Sequence, residues 1–133
     1  MGAWGTGLFE DDIALDCFEE LCDSKINNYI LRALEIVDNG EYLDYDECQS
    51  VIVSGCVVDV LLNDASYNGI DKSRITVKKQ DMDDVLKLKE SVIKALGEIL
   101  SDRSEIKELW EENEEEYLNW RKNIEDLINR LSS

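Results

Sequence analysis

No proline interrupts these 133 residues, and beyond the first seven positions only Gly40, Gly55, Gly69 and Gly97 loosen the backbone. Proline in a helix interior removes a hydrogen bond, and glycine there costs about 1 kcal/mol relative to alanine. A chain this poor in both is free to coil over long stretches, and its apolar residues recur at the spacing that coiling requires. From Asp11 to Asp23, Ala14, Cys17, Phe18 and Leu21 fall on one helical face, with Asp11 and Asp12 in the first turn, where the helix dipole favours acids. Ser24 is placed to cap a second helix, in which Ile26, Tyr29, Ile30, Ala33, Leu34 and Val37 repeat three and four apart until Asn39-Gly40.

Residues 44–63 pull two ways. Val51, Ile52, Val53, Val57, Val58 and Val60 suit strands, yet the segment runs 20 residues without a turn dipeptide. Apolar on nearly every face, it reads as a central helix covered by its neighbours. Asp59 is the odd residue in it. Buried, it needs a donor or an upward pKa shift; the expectation is a narrow polar edge shared with Asn63. Residues 64–80 read as a loop turning at Asn68-Gly69. The loop carries the one basic cluster, Lys72, Arg74, Lys78 and Lys79, and Ile75–Val77 has the composition of one short strand.

From Asp81 the rhythm is long. Val85, Leu88, Val92, Ala95 and Ile99 alternate steps of three and four. After a break near Ser101-Asp102 the seam resumes at Ile106, Trp110, Asn113, Tyr117, Trp120, Ile124, Leu127 and Leu131. The expected fold is all-α: one domain over residues 1–133, a compact bundle of five or six helices. It includes a long C-terminal antiparallel helical hairpin and a glycine-rich N-terminal arm holding Trp4 and Phe9.

Charge narrows the function classes. Acidic residues number 31 against 14 basic, a formal charge of −17, and there is no histidine. Nucleic acids and anionic membranes attract cations, so neither is an expected partner. Without imidazole, the usual triads, Cys–His pairs and His-ligated zinc are unavailable, and no phosphate-loop or dinucleotide fingerprint appears. A non-catalytic protein without a cofactor is the expectation. Cys17, Cys22, Cys48 and Cys56 match no zinc or redox spacing and sit among apolar residues, as buried free thiols do. No signal segment is evident in the sequence, which makes the cytoplasm the expected compartment.

The opening Met1-Gly2-Ala3-Trp4-Gly5-Thr6-Gly7-Leu8-Phe9-Glu10-Asp11-Asp12, followed by Ala14 and Asp16, resembles the start of an uncharacterised bacterial family, domain of unknown function 4259. Glu105–Glu112, Trp120 and the Leu127…Arg130-Leu131 ending resemble its far end, whereas the middle is richer in valine and cysteine than that family's pattern. The resemblance implies an all-helical bacterial cytoplasmic protein and transfers no catalytic residue. In the motif, Trp4 and Phe9 read as apolar anchors, and Gly5 and Gly7 as the flexible joints that lay the arm on the bundle.

Two acidic clusters, Asp81-x-Asp83-Asp84 and Asp44-x-Asp46-Glu47, hold oxygen ligands of the kind divalent cations take, but both fall at expected helix starts and neither fits an EF-hand. The densest run is Glu111, Glu112, Glu114, Glu115 and Glu116, which the seam register turns outward. Five like charges along one helix repel, so the run asks for a compensating cause. The leading expectation is a surface that engages a basic partner protein, as immunity-type inhibitors of nuclease toxins and nucleic-acid mimics do. Asp11, Asp12 and Glu19 form a second expected patch. The alternatives are a structural protein, possible as a homodimer through the seam of Trp110, Tyr117, Trp120, Ile124 and Leu127, and a metal-dependent enzyme on the acidic clusters.

Overall fold

The helix that no face can leave exposed organises the rest. The computed structural model describes residues 5–75, 77 and 79–133, without the side chains of Lys79 and Gln80. Among these, six α-helices follow in order: α1 (Asp12–Asp23), α2 (Ile26–Asn39), α3 (Tyr45–Asn63), α4 (Lys79–Ile99), α5 (Glu105–Glu111) and α6 (Glu114–Ser132). Residues Tyr45 to Val60 of α3 are buried apart from Asp46, Glu47 and Ser50, and α3 touches every other α-helix. Its β-branched residues therefore serve packing against helices on all sides, which outweighs their weak helix preference. Asp44 starts it with a capping box: its carboxylate accepts from Glu47 N (2.8 Å) while Glu47 Oε1 accepts from Asp44 N (3.0 Å). The expected central helix is present, and so is the bundle.

Two local expectations change. Ser24 ends α1 instead of starting α2: its backbone N–H and its hydroxyl both donate to Leu21 O (3.2 Å each), and Lys25 takes the N-cap of α2 without a side-chain bond. The arm of the hairpin that follows residue 102 is not one helix. Asn113, which fits the apolar seam by spacing, instead accepts from Glu116 N (3.2 Å) through its side chain and starts α6, so α5 and α6 are separate. In the loop after α3, one turn of 3-10 helix (Lys72–Arg74) stands before Ile75. Thr76, at the centre of the possible short strand, lies outside the described residues, as does Lys78 of the basic cluster.

Two loops are tied together at one end of the bundle. Leu43 N donates to Arg103 O (2.8 Å) and Glu105 N to Leu43 O (3.0 Å), a single parallel bridge. Arg103 then reaches back over the end of α2. Its Nη2 donates to Val37 O (2.8 Å) and Gly40 O, its Nε to Glu41 O (3.2 Å), and its Nη1 to Glu98 Oε2 (3.0 Å). The last turn of α2 holds no basic residue of its own, so the carbonyls left open at that terminus are satisfied from the α4–α5 loop.

Gly55 lies where α3 packs directly against α4 and α6. A Cβ there would sit 2.9 Å from Leu96 Cδ1 and 3.3 Å from Leu127 Cδ2, both on fully buried side chains of α4 and α6. At Gly97 of α4 a Cβ meets nothing within 4 Å. Urea titration of Gly55→Val is expected to show a loss of about 2 kcal/mol from overpacking. Gly97→Ala is expected to gain up to about 1 kcal/mol from helix propensity.

Candidate functional site

The five glutamates of the dense run straddle the junction of α5 and α6. Glu111 ends α5, Glu112 caps it, and Glu114, Glu115 and Glu116 form the first turn of α6. The break at Asn113 changes the electrostatics expected for one continuous helix. Three of the charges now stand at the positive end of the α6 dipole, where acids are favoured, so the repulsion is partly offset within the fold. Glu111 pairs with Lys107 (3.2 Å); among the described residues the other four make no ion pair. All are exposed except Glu116, which is half-buried.

The aromatic residues beside the run face inward. Trp110 and Trp120 are buried and Tyr117 is half-buried, its hydroxyl accepting from Arg121 Nη1 (2.8 Å). Ile124 and Leu127 are fully buried, so the seam offered for pairing between chains is taken up by the chain's own core. The apolar side chain that faces outward is Leu118, 60% exposed and one turn beyond Glu114. It falls off the apolar seam on a charged face, a signal readable from spacing alone.

The second expected patch dissolves. Asp12 is exposed, but Glu19 is paired with Arg74 (2.6 Å), and Asp11 is only 2% exposed. Asp11 is a buried hub. Its Oδ1 accepts from Ile13 N (2.7 Å) and Ala14 N (3.1 Å), capping α1. Its Oδ2 accepts from the Tyr45 hydroxyl and from Gln49 Nε2 (3.1 Å), both on α3. The motif's acid thus fastens the start of α1 to the central helix.

The rest of the arm is built around Glu10. Glu10 N donates to Gly7 O (3.0 Å) and Gly7 N to Glu10 Oε1 (3.1 Å), closing a turn, and a Cβ at Gly5 or Gly7 would run into the Glu10 carboxylate. The described glycine with left-handed backbone is Gly69, at φ 86°, so Gly7 serves by leaving room and not by an unusual dihedral. Phe9 is buried edge-on against Phe18 and Tyr67, and Thr6 O accepts from Asn123 Nδ2 (2.8 Å) on α6. Trp4 lies outside the described residues.

Asp59 departs from the expected polar edge: it is 0% exposed. Its Oδ1 accepts from Asn63 Nδ2 (2.8 Å), and its Oδ2 from the Tyr67 hydroxyl (2.6 Å) and Arg130 Nε (2.8 Å). Burial pushes its pKa up, but the donors from Asn63, Tyr67 and Arg130 together outweigh that and hold it below the usual 3.8. Burial also pushes Cys17 up to about 11 and raises Cys22, Cys48 and Cys56, so these free thiols stay protonated at neutral pH. Among the described residues no three acidic or cysteine side chains are gathered to hold a metal ion. Asp44, Asp46 and Glu47 cap or open α3, and Asp81 lies in the first turn of α4. No described helix is long and apolar enough to cross a membrane.

The family model for domain of unknown function 4259 (DUF4259) matches residues 2–123, spanning the arm, the central helix and the α5–α6 junction. The chain belongs to that family. No match is found among curated proteins or solved structures. The DUF4259 match includes the valine-rich middle, and it stops before the Leu127…Arg130-Leu131 ending. Within this matched region, the structure gives Asp11 a role that first-turn placement alone does not convey.

Asp11→Ala would strand two α1 amides, the Tyr45 hydroxyl and Gln49 Nε2. Thermal or urea unfolding is expected to show a loss of about 3 kcal/mol, against less than about 1 kcal/mol for Asp12→Ala. Asp59, with its folded pKa depressed, contributes stability that is full above pH 3.8 and is lost as pH falls through its folded value. Unfolding of the wild type and of Asp59→Asn at pH 7 and pH 3 is therefore expected to show a gap that narrows at pH 3.

Proposed function

We propose that this DUF4259 chain is a non-catalytic protein-binding module whose α5–α6 junction engages a basic partner protein, as an immunity-type inhibitor of a nuclease toxin or a nucleic-acid mimic would. One observation carries the reading. Glu112, Glu114 and Glu115 are exposed with no ion pair among the described residues, and Leu118 stands 60% exposed on the turn that follows them. Carboxylates in a cluster occupy the places of phosphates for a partner built to hold nucleic acid. They raise the association rate and make it sensitive to salt. A solvent-exposed leucine beside them supplies an apolar contact of the kind that slows dissociation once charges have aligned the surfaces. The chain's surplus of acids over bases, −17 overall, adds a long-range field of the same sign.

The immobilised chain, exposed to host lysate and eluted in salt steps, is expected to release a discrete basic protein at moderate salt. With that partner purified, replacing Glu111, Glu112, Glu114, Glu115 and Glu116 by Gln is expected to lower affinity at least about tenfold and flatten its dependence on salt. Equal affinity and an equal salt slope for the two forms, or retention of no basic protein, overturns the proposal.

A further inference from the structure

A cavity of about 280 Å³ opens between the N-terminal arm, the loop after α3 and one face of α6. Residues 7–10 form one wall, Tyr67 and Asn68 another, and Asn123, Asp126 and Arg130 a third. These last three are spaced three and four apart, so a single stripe of α6 faces the arm.

Arg130 is the group with the most determined position. Its Nε is held by Asp59 Oδ2 (2.8 Å) and its Nη2 by the Tyr67 hydroxyl (3.0 Å), leaving Nη1 uncommitted among the described residues. A fully buried carboxylate is costly to keep unless its partners repay the desolvation. Here Asp59 spends one oxygen on orienting a guanidinium that remains 43% exposed at the cavity. A guanidinium held in that way presents a preformed fork for a planar carboxylate.

The opposite sign is present in the same walls. Glu10 lines the cavity with its Oε1 engaged by Gly7 N, and Asp126 lines it with its Oδ2 paired to Lys122 (3.0 Å). That i,i+4 pair is on the surface and worth little, so a ligand cation exchanges with it readily. A simple anion meets repulsion from Glu10 and Asp126, and a simple cation leaves the outward Nη1 of Arg130, whose charge Asp59 already balances, without an acceptor. A molecule with one charge of each sign answers both. The volume lies below the about 300–1,000 Å³ of drug-sized sites, which restricts the ligand to a small one. We propose that this cavity binds a free α-amino acid, its carboxylate on Arg130 and its ammonium toward Glu10 and Asp126, with Asn68 and Asn123 contributing amide contacts.

The full chain can be titrated by calorimetry with each of the twenty amino acids, and with inorganic phosphate and putrescine as single-charge probes. At least one amino acid is expected to bind saturably with Kd below about 1 mM, and phosphate and putrescine at least about tenfold more weakly. Arg130→Lys keeps the charge and loses the fork, and is expected to weaken binding about tenfold. Asp126→Asn removes only a surface carboxylate and is expected to weaken it several-fold, which keeps the test valid should Arg130→Lys unfold the chain. Absence of binding by every amino acid overturns the proposal. So does a phosphate or putrescine affinity equal to the amino acid's, or an affinity unchanged in Asp126→Asn.

Discussion

Everything in this fold answers to a helix buried along most of its length. With residues on nearly all faces of α3 apolar, no two-layer arrangement suffices, and the other helices must close around it. That demand sets the small details. Gly55 lets Leu96 and Leu127 approach, and the polar atoms that α3 does carry need partners brought from elsewhere. Gln49 takes Asp11 from the arm, and Asp59 takes Tyr67 from the following loop and Arg130 from α6. The two buried acids thus mark two of the places where distant segments are tied to the centre.

A chain with 31 acidic residues must also place its charges so that the compact state survives them. Several are spent at helix starts. Asp11 caps α1, Asp44 caps α3 with Glu47 completing the box, and Glu114, Glu115 and Glu116 open α6. There each charge meets unsatisfied amides or a positive dipole end, so acidity contributes to the local fold as well as to the field outside. Three of the arginines serve as clasps: Arg103 closes the end of α2, Arg74 holds Glu19, and Arg130 holds Asp59.

Much of this was legible in the sequence. The central helix follows from its uniform apolarity, and the apolar seams of α4 and α6 from their three-four rhythm. What spacing could not convey was the identity of tertiary partners. Asp11 in a first turn looks the same whether it faces water or the Tyr45 hydroxyl, because the residues that bury it lie 34 and 38 positions away. Asn113 satisfies two patterns at once, a seam position and a helix cap, and the cap prevailed because α5 and α6 meet at its turn. Spacing alone places Asp59 on an edge with Asn63 because only that partner is local, whereas Tyr67 and Arg130 decide its burial. On the acidic face, inward-turned Trp110 and Trp120 followed from the seam; the exposed Leu118 was visible as an apolar residue out of phase.

The bond from Asn123 to the carbonyl of Thr6 links positions 117 residues apart. During synthesis on the ribosome, Thr6 is made well before Asn123, so this bond can form only once α6 is available. A nascent chain truncated before α6 would keep the attachments of Phe9 and Asp11 and lack the one to Asn123.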